Sequence, residues 1–402
     1  MRVLIAGAGI AGPTLAYWLL HHGFTPTLVE SGSRLRTGGY IIDFWGAGFD
    51  IADRMHLLPA LEPLGYKVQE MRVVDERGRC IAGLPTSAFF DLTQGRFISI
   101  ARGDLAACIY GALKGRVETL FGDRITRLRS SSAGVSVDFE HAESRSFDLV
   151  VGADGLHSGV RQIAFGDEAH FEQYLNCKAA AFQVAGYAPR DELVYVMHTQ
   201  VGQQVARFSM RDDRTMFLLT FKDQDPSVPA TLADQKDFLR RRFAGAGWEI
   251  PQILDALDGV SDLYFDRVSQ IRMGTATHSW SRERMALVGD AAFCVSLLAG
   301  QGSALAMVGA YILAGELSRS PENPAAALAR YQQCFGPFVL GKQKAAPRMV
   351  DFFAPRSALA LSLRNGVLRL MRLPGIANLA AGRSLYDRID IPDYEAAQTQ
   401  SS

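Results

Sequence analysis

Three glycines near the start of the chain have a spacing that binds pyrophosphate. Gly7, Gly9 and Gly12 form the pattern G-x-G-x-x-G between an apolar run at residues 3–6 and an apolar helical run that begins at Pro13. In this setting the first glycine permits a tight turn, the second lets the backbone approach the phosphates, and the third allows close packing of helix on strand. Free N–H groups at the helix start then face the anion. We therefore predict a dinucleotide site at this turn.

An acidic residue follows the second predicted strand. Residues 25–29 have the pattern of a strand, and Glu30 comes directly after them. A carboxylate at this position accepts hydrogen bonds from an adenosine ribose, and its charge repels a 2′-phosphate. The expected ligand is therefore FAD or NAD rather than NADP.

Two later apolar runs also end in aspartates. Residues 149–152 lead to Asp154, and residues 285–288 lead to Asp290. Uninterrupted apolar runs are typical of buried parallel strands, whose carboxyl ends face the ligand crevice of an open α/β sheet. We expect both aspartates to face that crevice. Asp154 has a second possible role at the N-cap of a helix over 158–165, and the two roles can coexist.

A glycine-rich helix start follows Asp290. Gly300, Gln301 and Gly302 precede a helix predicted over 303–317. Backbone N–H groups there could hydrogen-bond the N1 and C2 carbonyl region of a flavin and stabilise the anion of the reduced ring. The uncharged stretch at 291–315 is long enough to cross a bilayer. Its glycines make a poor continuous helix, so we expect a buried loop and then a buried helix.

Composition limits the classes of protein to which the chain can belong. With 402 residues, 48% hydrophobic and 21% charged, it suits a soluble globular protein of about two domains. The 42 basic and 42 acidic residues balance, which gives no indication of a nucleic-acid partner. Five scattered cysteines without a C-x-x-C pattern indicate reduced thiols in a cytoplasmic protein and no metal site.

The order of predicted elements indicates an α/β fold with a Rossmann-like domain for FAD or NAD, an inserted antiparallel-sheet substrate domain and C-terminal helices. We assign residues 1–174 and 276–345 to the Rossmann-like domain, which includes a small β-meander at about 68–100. Runs of β-branched and aromatic residues place the substrate domain at 175–275. The C-terminal helical segment is residues 346–402.

An amphipathic helix is predicted in that last segment. Leu359, Leu363, Val367 and Leu370 recur at helical spacing. Such a face can lie on a membrane surface. Too few arginines accompany it for strong attraction to lipid, so membrane contact is not expected. We expect the face to pack against the protein and to close over the junction of the two domains.

Three motifs together resemble the FAD-dependent aromatic hydroxylases, the single-component flavoprotein monooxygenases related to p-hydroxybenzoate hydroxylase. They are the glycine pattern with Glu30, the motif D-L-V-V-G-A-D-G-x-x-S-x-V-R at 148–161, and G-D-A-A at 289–292 with G-Q-G at 300–302. Within that family the chain is similar to the branch that includes tetracycline-inactivating monooxygenases. In order and spacing the motifs cover residues 1–317.

The resemblance implies an FAD-dependent monooxygenase that uses NAD(P)H and O2 to hydroxylate an aromatic or polyketide-like small molecule through a flavin C4a-hydroperoxide. NADPH or NADH would bind only transiently, and no protein base is identified. Two alternatives remain open: an FAD-dependent reductase or dehydrogenase on the same scaffold, and a non-catalytic flavin-binding protein.

The resemblance also implies specific roles in binding the cofactor. Glu30 would bind the adenosine ribose, Arg102 the FAD chain, and Asp290 the ribityl and pyrophosphate portion. Asp154 belongs to a motif implicated in both FAD and NAD(P)H binding. The complete set of implied cofactor-binding residues is Gly7, Gly9, Ala11, Gly12, Glu30, Arg36, Asp43, Arg102, Asp154, Asp290, Gly300, Gln301 and Gly302.

Overall fold

The computed structural model describes residues 1–35, 40–85, 93, 95–275, 277–371 and 389–394. Arg36, one of the predicted cofactor contacts, lies outside these residues. The described strands are β1 (Arg2–Ala6), β2 (Thr25–Glu30), β3 (Ile41–Trp45), β4 (Glu70–Val74), β5 (Cys80–Pro85), β6 (Phe97–Ala101), β7 (Glu118–Phe121), β8 (Ile125–Ser131), β9 (Gly134–Phe139), β10 (Arg145–Phe147), β11 (Leu149–Gly152), β12 (Glu172–Ala185), β13 (Val194–Gln200), β14 (Gln203–Ser209), β15 (Arg214–Lys222), β16 (Tyr264–Ile271), β17 (Ser281–Arg282) and β18 (Met285–Leu287). The described α-helices are α1 (Ala11–His21), α2 (Ala47–Arg54), α3 (Leu58–Leu61), α4 (Arg102–Gly111), α5 (Gly159–Phe165), α6 (Leu232–Arg242), α7 (Ile250–Ala256), α8 (Asp290–Phe293), α9 (Gly302–Arg319), α10 (Pro324–Phe353) and α11 (Ala358–Leu370).

A mostly parallel sheet carries the N-terminal glycine turn. Its strand order is β17-β18-β11-β1-β2-β7, and only β17 runs antiparallel to its neighbour. The central strand β1 is apolar and fully buried at Val3, Leu4 and Ile5, as expected for a strand covered on both faces. Helices α1 and α9 pack against each other beside this sheet. The carboxyl ends of β1, β2, β11 and β18 therefore meet at one edge, where the predicted site residues are found.

A larger sheet has the order β16-β12-β15-β14-β13-β4-β5. Strands β12 to β16 form the antiparallel sheet predicted within 175–275. The hairpin β4–β5 joins it because β4 pairs in parallel with β13, with Val194 opposite Glu70. The sequence placed this hairpin in a meander of the FAD-binding domain. Alternating residues indicate a strand but not its partner, so this long-range pairing was not predicted.

Two smaller sheets accompany the larger ones. Strands β10, β9 and β8 form an antiparallel sheet, and β3 pairs antiparallel with β6. The β3–β6 pair carries Asp43 and leads directly into α4, whose first residue is Arg102. The Asp43 carboxylate is hydrogen-bonded to Tyr195 on β13, so this pair of strands lies at the boundary between the parallel sheet and the larger one.

The uncharged stretch at 291–315 is broken as predicted. Helix α8 ends at Phe293, a short 3₁₀ turn spans Leu297–Ala299, and α9 begins at Gly302. Thirteen consecutive residues of α9, from 305 to 317, are buried in the core. In the described part of the chain, no helix combines the length and apolarity needed to cross a membrane.

Helix α11 packs on the larger sheet, but not through the predicted face. Leu359, Leu363, Val367 and Leu370 are 70%, 62%, 54% and 55% exposed, so the expectation that they pack inward is wrong. The opposite side faces the sheet instead, where Leu368 joins a cluster with Met197 and Ala206 and Arg364 is buried beside it. Helical spacing identifies an apolar face, but the sheet beneath α11 also presents polar groups that the arginine side chain can reach.

Candidate functional site

The glycine turn after β1 has no room for larger residues at two of its three glycines. Gly7 has a φ of +102°, and a Cβ there would lie 2.5 Å from the carbonyl oxygen of Ala153. A Cβ on Gly12 would lie 1.9 Å from the carbonyl oxygen of Gly7. The turn, the end of β11 and the start of α1 are therefore in direct backbone contact, and Ala11 is the first residue of that helix.

Two of the helices that start at this edge, α1 and α9, lack side-chain caps. The N-cap residues of α1 and α9, Ile10 and Gln301, make no side-chain capping bond. By contrast, α5 and α10 are capped by the side chains of Ser158 and Asn323. Uncapped helix starts present N–H groups and partial positive charge to an anion. Gly300, just before α9, has a φ of +68° and open space where a Cβ would stand. These features fit a pyrophosphate at α1 and an electron-rich ring at α9.

Glu30 ends β2 beside the glycine turn. Its carboxylate accepts hydrogen bonds from the backbone N–H groups of Ala8 and Gly32, each at 2.8 Å. The side chain is half-buried and borders the turn that the sequence motif predicted. Its position fits contact with a ribose, and its bond to Ala8 also holds the turn in shape.

Arg102 and Asp290 converge on the same place from different elements. The Nη2 atom of Arg102 lies 3.7 Å from the position of a Cβ on Gly9. The Oδ1 atom of Asp290 lies 3.6 Å from the position of a Cβ on Gly302. Burial raises the pKa of Asp290, while the charge of Arg102 acts in the opposite direction. Four predicted residues, from three separate parts of the chain, therefore meet around one crevice.

Two tyrosines in this crevice were not identified from the sequence. Burial raises the pKa of Tyr40 to about 12, and Arg102 and Asp290 both act electrostatically on its hydroxyl. The Tyr40 ring contacts Tyr264 edge-on, with centroids 5.9 Å apart. Tyr264 belongs to β16 of the larger sheet, so the pair joins that sheet to the crevice. No spacing pattern marks either tyrosine in the sequence.

Asp43 connects the small β3–β6 pair to the larger sheet. Its Oδ1 accepts a 2.5 Å hydrogen bond from the Ser99 hydroxyl, and its carboxylate is also hydrogen-bonded to Tyr195 on β13. Burial raises the pKa of Asp43. The residue lines a cleft together with Gly300 and Gln301. Asp43 therefore lies beside the start of α9, where the resemblance puts a flavin.

Asp154 is half-buried just before the start of α5. Its carboxylate accepts hydrogen bonds from the Val160 N–H at 3.0 Å and from the Ser158 hydroxyl. Ser158 itself caps the helix by accepting from the Arg161 N–H at 3.0 Å. Burial raises the pKa of Asp154. The sequence analysis gave Asp154 a possible role as the N-cap of this helix. In the structure Ser158 is the N-cap, and Asp154 holds the Ser158 hydroxyl in place.

Arg161 is a structural link that sequence reasoning missed. Its fully buried guanidinium donates to the carbonyls of Leu156 at 2.6 Å and Ala291 at 2.9 Å, and to Glu168 at 2.6 Å. It thus fastens the loop after β11 to helix α8, which follows β18. Its place at the end of the 148–161 motif was the available signal.

His157, which lies within this motif, is unsuited to the role of a base. His157 lies between Glu168 at 2.9 Å and Asp266 at 3.0 Å. Hydrogen bonds to Asp266 and Glu168 raise its pKa to about 10. The imidazole is therefore protonated at neutral pH and bridges two carboxylates.

Comparison with known proteins identifies relatives over the whole length. The FAD binding domain family matches residues 112–334. A flavin-dependent monooxygenase from an unknown prokaryotic organism is 33% identical over 373 residues, which cover 91% of this chain and 94% of the relative. The crystal structure of tetracycline destructase Tet(55) has a TM-score of 0.82 at 31% identity, with 98% of both chains covered. Klebsiella pneumoniae HpxO complexed with FAD and uric acid shares the fold, with a TM-score of 0.78 at 23% identity over 96% of this chain and 97% of that one.

Proposed function

This chain belongs to the FAD binding domain family of flavin-dependent monooxygenases, and we propose that it takes its electrons from NAD(P)H and oxygenates an aromatic or polyketide-like small molecule. The observation that carries the proposal is the convergence of Gly9, Arg102, Asp290 and Gly302 around one crevice. Each comes from a different element. Arg102 and Asp290 supply polar side chains that can hold a ligand, and Gly9 and Gly302 let a ligand come close to the backbone.

The residues that would hold FAD divide by chemistry. The turn at 7–12 and the uncapped start of α1 offer N–H donors for the pyrophosphate. Glu30 would accept from the adenosine ribose, and Arg102 would offset phosphate charge. Asp290 would accept from the ribityl hydroxyls. The bound flavin supplies hydride acceptance and oxygen activation, while the protein supplies orientation and exclusion of water.

The start of α9 is the element best suited to tune that chemistry. Its uncapped N–H groups and helix dipole would stabilise negative charge on the pyrimidine side of a reduced ring. Asp43 borders the same cleft and would orient the ring or the substrate through its bonded carboxylate. Tyr40 and Tyr264 would limit access of water from the larger sheet.

The substrate class is supported by relatives and by the wall beside Asp43. The tetracycline destructase acts, by its name, on tetracycline, and this chain shares 31% identity with it over 98% of its length. Beside Asp43 the larger sheet presents the half-buried Tyr195, with Phe208 and Met216 packed behind it, which gives an apolar and polarisable wall. Such a wall suits a flat, electron-rich molecule.

The test is NAD(P)H consumption by the purified yellow protein under oxygen, with and without an aromatic candidate. We expect substrate-stimulated oxidation and a product that contains an atom of isotopically labelled oxygen. A reductase would consume NAD(P)H without incorporating the label, and it would also turn over under nitrogen. A non-catalytic flavoprotein would show no stimulation by any candidate. Either result would overturn the proposal.

A further inference from the structure

Arg364 is a buried cation without an acidic partner among the described residues. The residue is 8% exposed and lies on the inner side of α11. Its Nη2 donates to Gln204 Oε1 at 3.1 Å, its Nη1 to Asn365 Oδ1 at 3.1 Å, and its guanidinium stacks over the Phe352 ring at 4.6 Å. Its Nε is buried and makes no hydrogen bond. Both oxygens that it contacts belong to neutral amides.

Three other buried cations of this protein each have an acidic partner. Because an unpaired buried charge is costly, proteins normally pair it with an opposite charge. Each of three comparable side chains follows that rule: Arg161 pairs with Glu168 at 2.6 Å, Arg207 with Glu249 at 2.7 Å, and Lys178 with Asp223 at 2.8 Å. The missing counter-charge beside Arg364 therefore calls for an explanation.

The sheet beneath Arg364 adds further donors without partners. Gln204 on β14 lies opposite Thr220 on β15 and Thr199 on β13. Thr199 donates to Gln204 Oε1 at 2.9 Å, so that oxygen is already used by two donors. Gln204 Nε2 and Thr220 Oγ1 are buried and make no hydrogen bond. With Arg364 Nε, three groups that can donate are thus left together at one place.

This cluster lies on the face of the larger sheet that leads to Asp43. Side chains alternate along a strand, so Tyr195, Met197 and Thr199 of β13 share a face. Tyr195 hydrogen-bonds Asp43, and Thr199 belongs to the Arg364 cluster. The two lie four positions apart along the strand, which is roughly 13 Å. Met197 lies between them and is covered by Leu368 of α11, so an elongated molecule that reaches from the flavin cleft to Arg364 along this face must displace that contact.

We propose that Arg364, Gln204 and Thr220 form a subsite for an anionic oxygen of the substrate, such as a carboxylate, phenolate or enolate. The inference rests on the function proposed above, because it takes this sheet face as the substrate surface. A guanidinium supplies the charge, and the amide and hydroxyl supply hydrogen bonds to the same oxygen group. Burial lowers the pKa of Arg364 to about 10, which leaves it protonated at neutral pH.

The subsite is tested with two matched probes, anthraquinone-2-carboxylate and its uncharged carboxamide, titrated into the FAD-loaded enzyme while flavin absorbance is followed. The wild type should bind the carboxylate about tenfold or more tighter than the amide, as expected for charge-assisted hydrogen bonds. Arg364→Met should abolish the preference, and Arg364→Lys should retain part of it. Arg369→Met is the matched control, because this exposed arginine of the same helix donates to the Ile81 carbonyl instead.

A ligand-free measurement separates binding from structure. If the charge of Arg364 is uncompensated until an anion binds, Arg364→Met should raise the melting temperature of the ligand-free protein. The substitution removes that charge and keeps the packing on Phe352. A lower melting temperature, equal affinity of the wild type for both probes, or binding of neither would overturn the subsite. Arg364-dependent carboxylate binding without any oxygenated product would leave the subsite standing and refute the proposed function. Oxygenation of substrates with no dependence on Arg364 would refute the subsite and leave the proposed function standing.

Discussion

Replacement of Gly12 by alanine tests whether the turn after β1 is built for close backbone contact. The added Cβ would lie 1.9 Å from the Gly7 carbonyl oxygen, whereas such contacts are not found below 3.0 Å, so the turn and α1 must separate by about 1 Å. Overpacking of this kind costs about 1 to 3 kcal/mol, which for a chain of 402 residues corresponds to a decrease in Tm of about 1 to 4 °C.

The same displacement should weaken FAD binding. A shift of about 1 Å takes the first N–H groups of α1 beyond hydrogen-bond distance of a phosphate. Loss of one charge-assisted bond costs about 1.5 to 3 kcal/mol, or about tenfold or more in Kd. Thermal melting of the holoenzyme and titration of apoprotein with FAD, followed by flavin fluorescence, measure the two effects.

Gly341→Ala is the matched control for this substitution. Gly341 lies within α10, and no atom stands within 4 Å of an added Cβ. Alanine is favoured over glycine in a helix by about 0.8 to 1 kcal/mol, so this variant should keep its FAD affinity and melt no lower than the wild type. The reasoning fails if Gly12→Ala matches the wild type in both Tm and Kd.

Three further variants probe other parts of the site. Asp290→Ala should raise the Kd for FAD about tenfold or more, because it removes charge-assisted bonds, while His278→Ala should not; equal constants by fluorescence titration would contradict the assignment of Asp290. Arg161→Met should cost about 1 to 3 kcal/mol for each of the Leu156 and Ala291 carbonyls, because it removes their buried donor, and a melting curve like that of the wild type would show that the link is dispensable. The folded-state pKa of His157 is raised to about 10 from 6.5, so its stabilisation is complete below pH 6.5 and is lost as pH rises through 10. The Tm difference between wild type and His157→Gln should therefore shrink over that range, and a constant difference would rule out the bridge.

The strand ends were predictable because they depend on local patterns. An apolar run that stops at a glycine and an acid, as before Asp154 and Asp290, defines both the strand and the edge where its carboxyl end lies. The contact between Asp43 and Tyr195 was not predictable, because the two residues lie in different sheets and no spacing relates them. The same holds for the bond between Arg161 and the Ala291 carbonyl. Such contacts arise only when the sheets are assembled.

The orientation of α11 shows a second limit. Its leucines mark one face by periodicity, yet the inward face is decided by Arg364 and Leu368 and by the groups they meet on β13 and β14. A hydrophobic pattern ranks faces by apolarity alone. It contains no information on a partner surface that offers both hydrogen-bond acceptors and apolar contacts.

The parallel pairing of β4 with β13 has a consequence for biosynthesis. Strand β4, at 70–74, leaves the ribosome early but cannot pair with β13 until residues 194–198 have been synthesised. Strand β1 likewise cannot pair with β11 until that strand has been synthesised. Asp290 and Gly302 appear later still, so the nascent chain cannot assemble the complete crevice before residue 302 has emerged. Long-range pairing of this kind slows folding and leaves strand edges exposed. We expect the yield of soluble protein to rise when translation is slowed by low temperature and when riboflavin is supplied. The reason is that FAD can bind and stabilise the fold only near the end of synthesis.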